Sequence, residues 1–391
     1  MKKRNVRRLT VFLLVMALLW TNMSFVVGAT QNISEDVDGR PQLDCKSALL
    51  MEASTGKVLF EQNADEALHP ASVTKIMTLL LVMEAIESGK IRYEDTVTAS
   101  AHASSMGGSQ IFLKEGEQMT VEDMIKSVVI ASANDAAVAL AEHISGTEEA
   151  FVEQMNRRAS ELGMTSTHFE NTNGLDDTTT AHLTSARDIA LMSRELLKHK
   201  KITEYSSTWM DTVRDGAFGL TNTNRLVRFY KGATGLKTGS TAKAGFCISA
   251  TAKRDGMELI CVIMGAESRD IRNAAATSLL DWGFANYALY TAPKVELSPI
   301  KVLGGMTSTC AVTAADFFDV VHKSDAGRVE YIVEIPESIG APIQKGDIVG
   351  KIIYRLNGEI LGEIPVTAEE SIEKIGFWGL FLRLLSRVSA F

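Results

Sequence analysis

The chain has 391 residues, 46% hydrophobic and 23% charged, with a formal net charge of −8 at neutral pH. That composition excludes a disordered or fibrous chain, supplies enough apolar residues for a sizeable core, and suits two domains or one large domain with an appendage. The acidic balance makes the chain a poor general binder of nucleic acid, so none is expected as a partner.

The first residues do not read as part of the fold. MKKRNVRRLT is basic, VFLLVMALLW is apolar, and VVGAT places Val27 and Ala29 at the small-residue positions of a cleavage site. Residues 1–29 therefore read as a secretory signal peptide cut after Ala29, against the alternative of an uncleaved membrane anchor. Losing its five Lys/Arg would take the net charge from −8 to −13.

Residues 45–290 alternate strand-like and helix-like segments. SALLMEAS and KVLFEQ predict a hairpin about Thr55-Gly56. A helix follows from about Ser72 to Ser88, with Pro70 before it and Gly89 as its stop. TVEDMIKSVVIA opens like a capping box from Thr120 to Asp123, and NDAAVALAEHI continues as another helix. GFCISATAKRDGMELICVIMGA reads as two strands about a tight turn, and RNAAATSLLDWGFANYAL as a helix packed on them. Near TAPKVELSPI the character changes. Helical periods mostly vanish from Val295 to Thr367, and Asn357-Gly358 marks a hairpin turn. Residues 293–370 therefore read as a small β-rich domain. In residues 371–391, Ile375, Trp378, Phe381, Leu385 and Val388 recur at helical spacing. Phe377, Leu380 and Leu384 widen this stripe, and Lys374, Arg383 and Arg387 supply a basic side. The segment is short for spanning and interrupted by arginine, so it reads as an interfacial helix on a membrane, the alternative being a terminal helix docked on its own protein.

Cys45, Cys247, Cys261 and Cys310 have no CxxC spacing, and the seven histidines form no HExxH-like pair. No metal site and no cofactor is expected. Cys247 and Cys261 flank the KRDG turn. They are read as facing each other in an export-permitted disulfide or, in preference, as small buried apolar residues.

The helix after Pro70 is apolar almost all round, yet carries Lys75. A buried lysine is costly unless paired or neutral, and burial lowers its pKa. A neutral lysine is a base. Ser72 lies three residues earlier on the same face, at the helix N-terminus, where a hydroxyl can be activated and a backbone N–H can meet developing negative charge. Alone, S-x-x-K is common by chance. Its company is Ser132 and Asn134 in ASANDAA, whose bland reading is a capping turn, and Lys237, Thr238 and Gly239 in GLKTGST, whose bland reading is a glycine turn.

The order S-x-x-K, S-x-N, K-T-G resembles the signature of penicillin-binding proteins and class A β-lactamases. Around it, TGKVLFEQNADEALHPASVTKIMT, GSQIFLKEGEQMTVEDMIKSVVIASANDAAVALAEHISG, FENTNGLDDTTTAHLTSARDIALMSREL and GATGLKTGSTAKAGFCISATA resemble successive blocks of the D-alanyl-D-alanine carboxypeptidases, the low-molecular-mass penicillin-binding proteins, and most those of Gram-positive, often spore-forming, bacteria. The resemblance implies an α+β fold: a β-lactamase/transpeptidase-like domain over 40–290, with a sheet flanked by helices plus a helical lobe, then the β-rich domain and the amphipathic helix. It implies an exported enzyme, peripheral at the outer face of the cytoplasmic membrane or secreted, acting on peptidoglycan stem peptides and acylated by β-lactams. Ser72 would be the nucleophile, Lys75 its base, Ser132 a proton relay and Asn134 a holder of Lys75 and the substrate amide. Lys237 and Thr238 would bind the terminal carboxylate. Gly239 would let the peptide lie close along the strand, and the N–H groups of Ser72 and Ser240 would form the oxyanion hole.

Two departures bear on the alternatives. The middle motif is Ser-Ala-Asn rather than Ser-Asp-Asn, and ENTNG around Glu170 lacks the leucine of a β-lactamase deacylation motif. Both disfavour a β-lactamase. A D,D-endopeptidase uses the same machinery, and a non-turnover β-lactam sensor would stay acylated. His182 and Asp177 lie in a family-like block and read as structural positioning.

Overall fold

The computed structural model describes residues 39–177 and 179–388; the leader expected over residues 1–29 lies outside the described residues. Five strands form one antiparallel sheet. β1 (Ser47–Glu52) and β2 (Val58–Gln62) make the predicted hairpin, with Gly56 at φ +75° in its turn. β3 (Ala233–Thr241), β4 (Gly245–Arg254) and β5 (Met257–Ala266) complete it in the spatial order β2-β1-β5-β4-β3. Every residue of β1 is buried, because both faces of the sheet are covered.

The two faces are visible in the period-two alternation of the strands. Leu49, Met51, Ile260, Val262 and Met264 pack with the helical lobe. Ala48, Leu50, Leu259, Cys261 and Ile263 pack with Leu279 and Leu280. The lobe is built from α1 (Lys75–Glu87), α2 (Val121–Ile130), α3 (Asn134–Ser145), α4 (Glu148–Glu161) and α5 (Ala186–Leu196). Thr120 caps α2 as its sequence predicts, its hydroxyl accepting from the Asp123 N–H at 3.1 Å. The second face is covered by α6 (Arg269–Asn286), capped by Ser268.

One expectation needs correction, and one alternative is excluded. The helix read through Leu289 stops at Asn286. Tyr287–Thr291 is instead a strand, paired antiparallel with Phe318–His322. It leads the chain into the β-rich region, and Lys57 in the β1–β2 turn clasps that region through Asp319 at 3.0 Å and the Val320 carbonyl at 2.7 Å. Cys247 and Cys261 do not face each other. The tight turn that pairs Arg254 with Met257 sets Cys261 opposite Ala250, and the two thiols point to opposite faces of the sheet. Both are buried and free, consistent with the apolar alternative.

Beyond α6, a four-stranded antiparallel sheet runs in the order Val312–Ala314, Glu359–Ala368, Ile348–Leu356, Val329–Glu334. Asn357 and Gly358, at φ +50° and +90°, form its predicted hairpin turn. Phe317 stacks on Tyr354 in its core, with ring centroids 4.0 Å apart. The last described element is α7 (Phe377–Val388).

Candidate active site

The helix that follows Pro70 differs from its sequence reading in its first turn. Residues Ala71–Thr74 are a 3-10 turn, and the α-helix proper begins at Lys75. Side chains at i and i+3 eclipse in a 3-10 turn. That geometry brings the Lys75 Nζ to 2.9 Å from the Ser72 hydroxyl. Lys75 is fully buried, as the surrounding apolar residues predict. Its ammonium site is satisfied by Asn134 Oδ1 at 2.6 Å and by the Asn173 carbonyl at 2.7 Å. Burial, reinforced by the charge of Lys237 and opposed by Asp135, pulls its pKa well below the usual lysine range.

The second motif arrives from the α2–α3 junction. Ser132 sits there in the left-handed region at φ +63°, a conformation uncommon outside glycine and found where a site over-determines it. Asn134 begins α3. Its Nδ2 donates to the Gly107 carbonyl at 2.7 Å, which leaves Oδ1 for Lys75. Asp135, the next residue, is buried and accepts from the N–H groups of Ile111 and Leu113, tying down the loop that carries Gly107.

The third motif lies on β3. Lys237 is 1% exposed and donates to Ser132 Oγ at 2.8 Å and to the Thr238 carbonyl at 2.9 Å. Burial, with a smaller push from Arg272, lowers its pKa to about 7. Thr238 donates to Thr223 Oγ1 at 2.8 Å, and Ser240 is exposed at the end of the strand. Gly239 serves a purpose the sequence does not reveal. A Cβ there would lie 2.8 Å from the Ser72 N and 2.9 Å from both Pro70 O and Val73 N. The missing side chain lets β3 press directly on the turn that carries Ser72.

The structure thus links Ser72, Lys75 and Asn134 in one hydrogen-bonded group and Ser132 with Lys237 in another, with Gly239 against the first. Several neighbours escaped the sequence reading. Asn173 contributes a backbone carbonyl, which has no side-chain signature. Thr223 comes from a loop without one. Arg272 did have a signal: it occupies the buried stripe of α6 shared by Ala275, Ala276, Leu279 and Leu280. There it donates to the Cys247 carbonyl at 3.4 Å, opposite Gly239 in the sheet. Burial, with Arg269 beside it, lowers its pKa to about 10. His182 is buried against the turn that carries Ser72, with Thr74 Oγ1 2.8 Å from its Nε2, and burial holds its pKa down to about 4. Among the described residues no cluster of His, Cys, Asp and Glu has the arrangement of a metal site.

Similar proteins cover most of the chain. The family model described as D-alanyl-D-alanine carboxypeptidase, peptidase S11, matches residues 34–268. The model of the penicillin-binding protein 5 C-terminal domain matches residues 284–374. The D-alanyl-D-alanine carboxypeptidase DacF of Bacillus subtilis is 46% identical over 341 residues, 85% of this chain and 87% of that protein. Penicillin-binding protein 5 of Haemophilus influenzae superposes with a TM-score of 0.76 at 31% identity, over 85% of this chain and 99% of that one. Penicillin-binding protein D2 of Listeria monocytogenes, solved in an ampicillin-bound form, superposes with a TM-score of 0.57 at 30% identity, over 62% of this chain and 98% of that one.

Proposed function

The chain belongs to the D-alanyl-D-alanine carboxypeptidase family of serine peptidases, and on that premise we propose that Ser72 removes the terminal D-alanine from peptidoglycan stem peptides through an acyl-enzyme. The observation that carries this reading is the hydrogen bond from a fully buried lysine to the Ser72 hydroxyl. Ser72 Oγ attacks the carbonyl carbon between the two D-alanines and gives its proton to neutral Lys75. The N–H groups of Ser72 and Ser240 meet the oxyanion. As the C–N bond breaks, the Ser132 hydroxyl protonates the leaving amine and recovers a proton from Lys75. Water, losing a proton to Lys75, then hydrolyses the ester and restores Ser72.

The terminal carboxylate identifies the substrate. Thr238 supplies the hydroxyl that grips it. Lys237, held inward on Ser132, acts with Arg272 as positive charge beneath the strand rather than as a projecting hand. β-Lactams mimic this substrate and acylate the same serine. The test incubates the wild-type protein with a peptide ending in Lys-D-Ala-D-Ala, and separately with penicillin. One D-alanine is released per peptide, and the penicillin mass appears on the fragment containing Ser72. A penicillin adduct on another residue would sink the assignment.

The division into a leader over 1–29, a catalytic domain over 40–290, a β-rich domain over 293–370 and a terminal segment over 371–391, whose helix starts at Phe377 and not at residue 371, belongs to the same proposal, with export to the outer face of the membrane. Among the described residues no helix is long and apolar enough to cross a membrane. The terminal helix instead exposes Phe377, Trp378, Leu380, Phe381, Leu382 and Leu385, a surface suited to lying in the lipid interface. Deleting residues 371–391 is expected to move the protein from the sedimenting membrane fraction to the supernatant while D-alanine release persists. Unchanged sedimentation would refute the anchor.

A further inference from the structure

His182 and Thr74 have no part in the proton transfers above, yet both are buried beside the nucleophile. Their hydrogen bonds fix a single direction. The backbone N–H of Glu170 points at His182 Nδ1 from 3.0 Å, and an N–H can only donate. Nδ1 is therefore bare. The neutral ring carries its proton on Nε2 and donates it to Thr74 Oγ1 at 2.8 Å. The Thr74 hydroxyl hydrogen is then free for the one remaining acceptor, the Ala71 carbonyl at 2.9 Å.

Ala71 is held in the left-handed region at φ +49°, immediately before the nucleophile. Such a conformation persists in a non-glycine residue only where the surroundings enforce it. Gly174 presses on the same carbonyl: a Cβ there would stand 1.9 Å from Ala71 O. The chain carrying His182 is strapped to the segment before the nucleophile by paired backbone bonds between Leu68 and Thr184, at 2.8 and 2.9 Å. The carbonyl of Ala71 and the N–H of Ser72 belong to one peptide unit. In a planar trans peptide they point in opposite directions. Whatever holds Ala71 O therefore aims Ser72 N–H.

We infer that Thr74 and His182 are positioning residues for the oxyanion hole, holding the Ala71 carbonyl so that the Ser72 amide faces the reacting carbonyl. The inference rests on the reading of Ser72 as nucleophile and oxyanion donor. Thr74 acts directly, and His182 acts through Thr74 by keeping its hydroxyl turned to Ala71.

The test separates the pre-covalent affinity for a fluorescent penicillin from the rate constant of acylation. Thr74→Val keeps the shape and loses the hydroxyl. It is expected to slow acylation by about tenfold to a hundredfold, since one misdirected oxyanion donor costs up to that order or more, with the pre-covalent affinity unchanged. Thr74→Ser, which retains the hydroxyl, is expected to acylate close to the wild-type rate. His182→Gln can accept from Glu170 N–H and donate to Thr74, and is expected to keep the rate; His182→Leu is expected to lose as much as Thr74→Val. The double variant Thr74→Val with His182→Leu is expected to be no slower than either alone, because both cut the same chain. Should Thr74→Val fail to fold, the His182 pair decides. Wild-type rates in Thr74→Val and His182→Leu, equal losses in His182→Gln and His182→Leu, or additive losses in the double variant would each overturn the positioning role. A wild-type protein that takes no penicillin at all would overturn the reading of Ser72, and the role with it.

Discussion

Lys75→Gln is expected to lower the rate of acylation of Ser72 by about 10³-fold or more, the upper range for loss of a positioned base, while the protein stays folded. Glutamine can still donate toward Asn134 Oδ1 and the Asn173 carbonyl, the two acceptors that lysine satisfies. It cannot take a proton. The loss therefore isolates base catalysis from packing, and the measurement is penicillin acylation by stopped flow beside a thermal melt. The pH profile supplies the sign. Ordinary lysine is charged at neutral pH; burial of Lys75 lowers its pKa, so the neutral base persists to more acidic pH. The wild-type rate should fall as pH drops through that lowered pKa. Lys237, with a pKa of about 7, gains charge over the neighbouring range and further disfavours the protonated form of Lys75. In Lys75→Gln the residual rate should lose the limb belonging to Lys75. An undiminished rate in a folded Lys75→Gln would remove lysine from the mechanism.

Gly239→Ala is expected to cut acylation by about 10²-fold or more, because the Ser72 hydroxyl and backbone amide, the proposed nucleophile and oxyanion donor, move together. All three atoms that the new methyl would meet, Ser72 N, Pro70 O and Val73 N, are backbone. None can swing aside as a side chain would. Either β3 retreats from the 3-10 turn or the turn shifts, and overpacking of this kind costs about 1–3 kcal/mol. A lowered melting temperature should accompany the kinetic loss. Gly340→Ala, where an added Cβ meets nothing within 4 Å, is the control. Wild-type kinetics in Gly239→Ala would mean that the close approach of β3 to the nucleophile is dispensable.

Much of this was legible in the sequence, for identifiable reasons. An apolar helix flanked by Pro70 and Gly89, a Thr120 capping signal and an Asn357-Gly358 turn are local codes, and each forms where it is written apart from the helix's first turn, which is 3-10. The site was legible because three short motifs carry side-chain chemistry. What stayed hidden depends on backbone or register. The Asn173 carbonyl is available from any residue. The strand at Tyr287–Thr291 follows α6 without a breaking residue, and its apolar composition suits a helix equally until its partner at Phe318–His322 is known. Gly239 read as room for substrate because its nearest neighbours are some 165 residues away in the chain. The separation of Cys247 from Cys261 turns on the hairpin's register, which the Arg254–Met257 pair at the turn fixes and the composition of the two strands does not.

Those unpaired thiols have a use in following the molecule's motions. Burial pushes the Cys247 thiol up to about 11 and raises those of Cys261 and Cys310 as well. Thiolate is the reactive form, so an alkylating reagent meets almost none of it in the closed protein. Labelling then waits on local opening, and its rate reads the free energy of that opening. The three reporters sit in different places: Cys247 between sheet and helical lobe, Cys261 beneath α6, and Cys310 in the β-rich region. Timed alkylation followed by peptide mass analysis would record, without any engineered label, which layer of the protein breathes first and whether an acylated Ser72 quiets it.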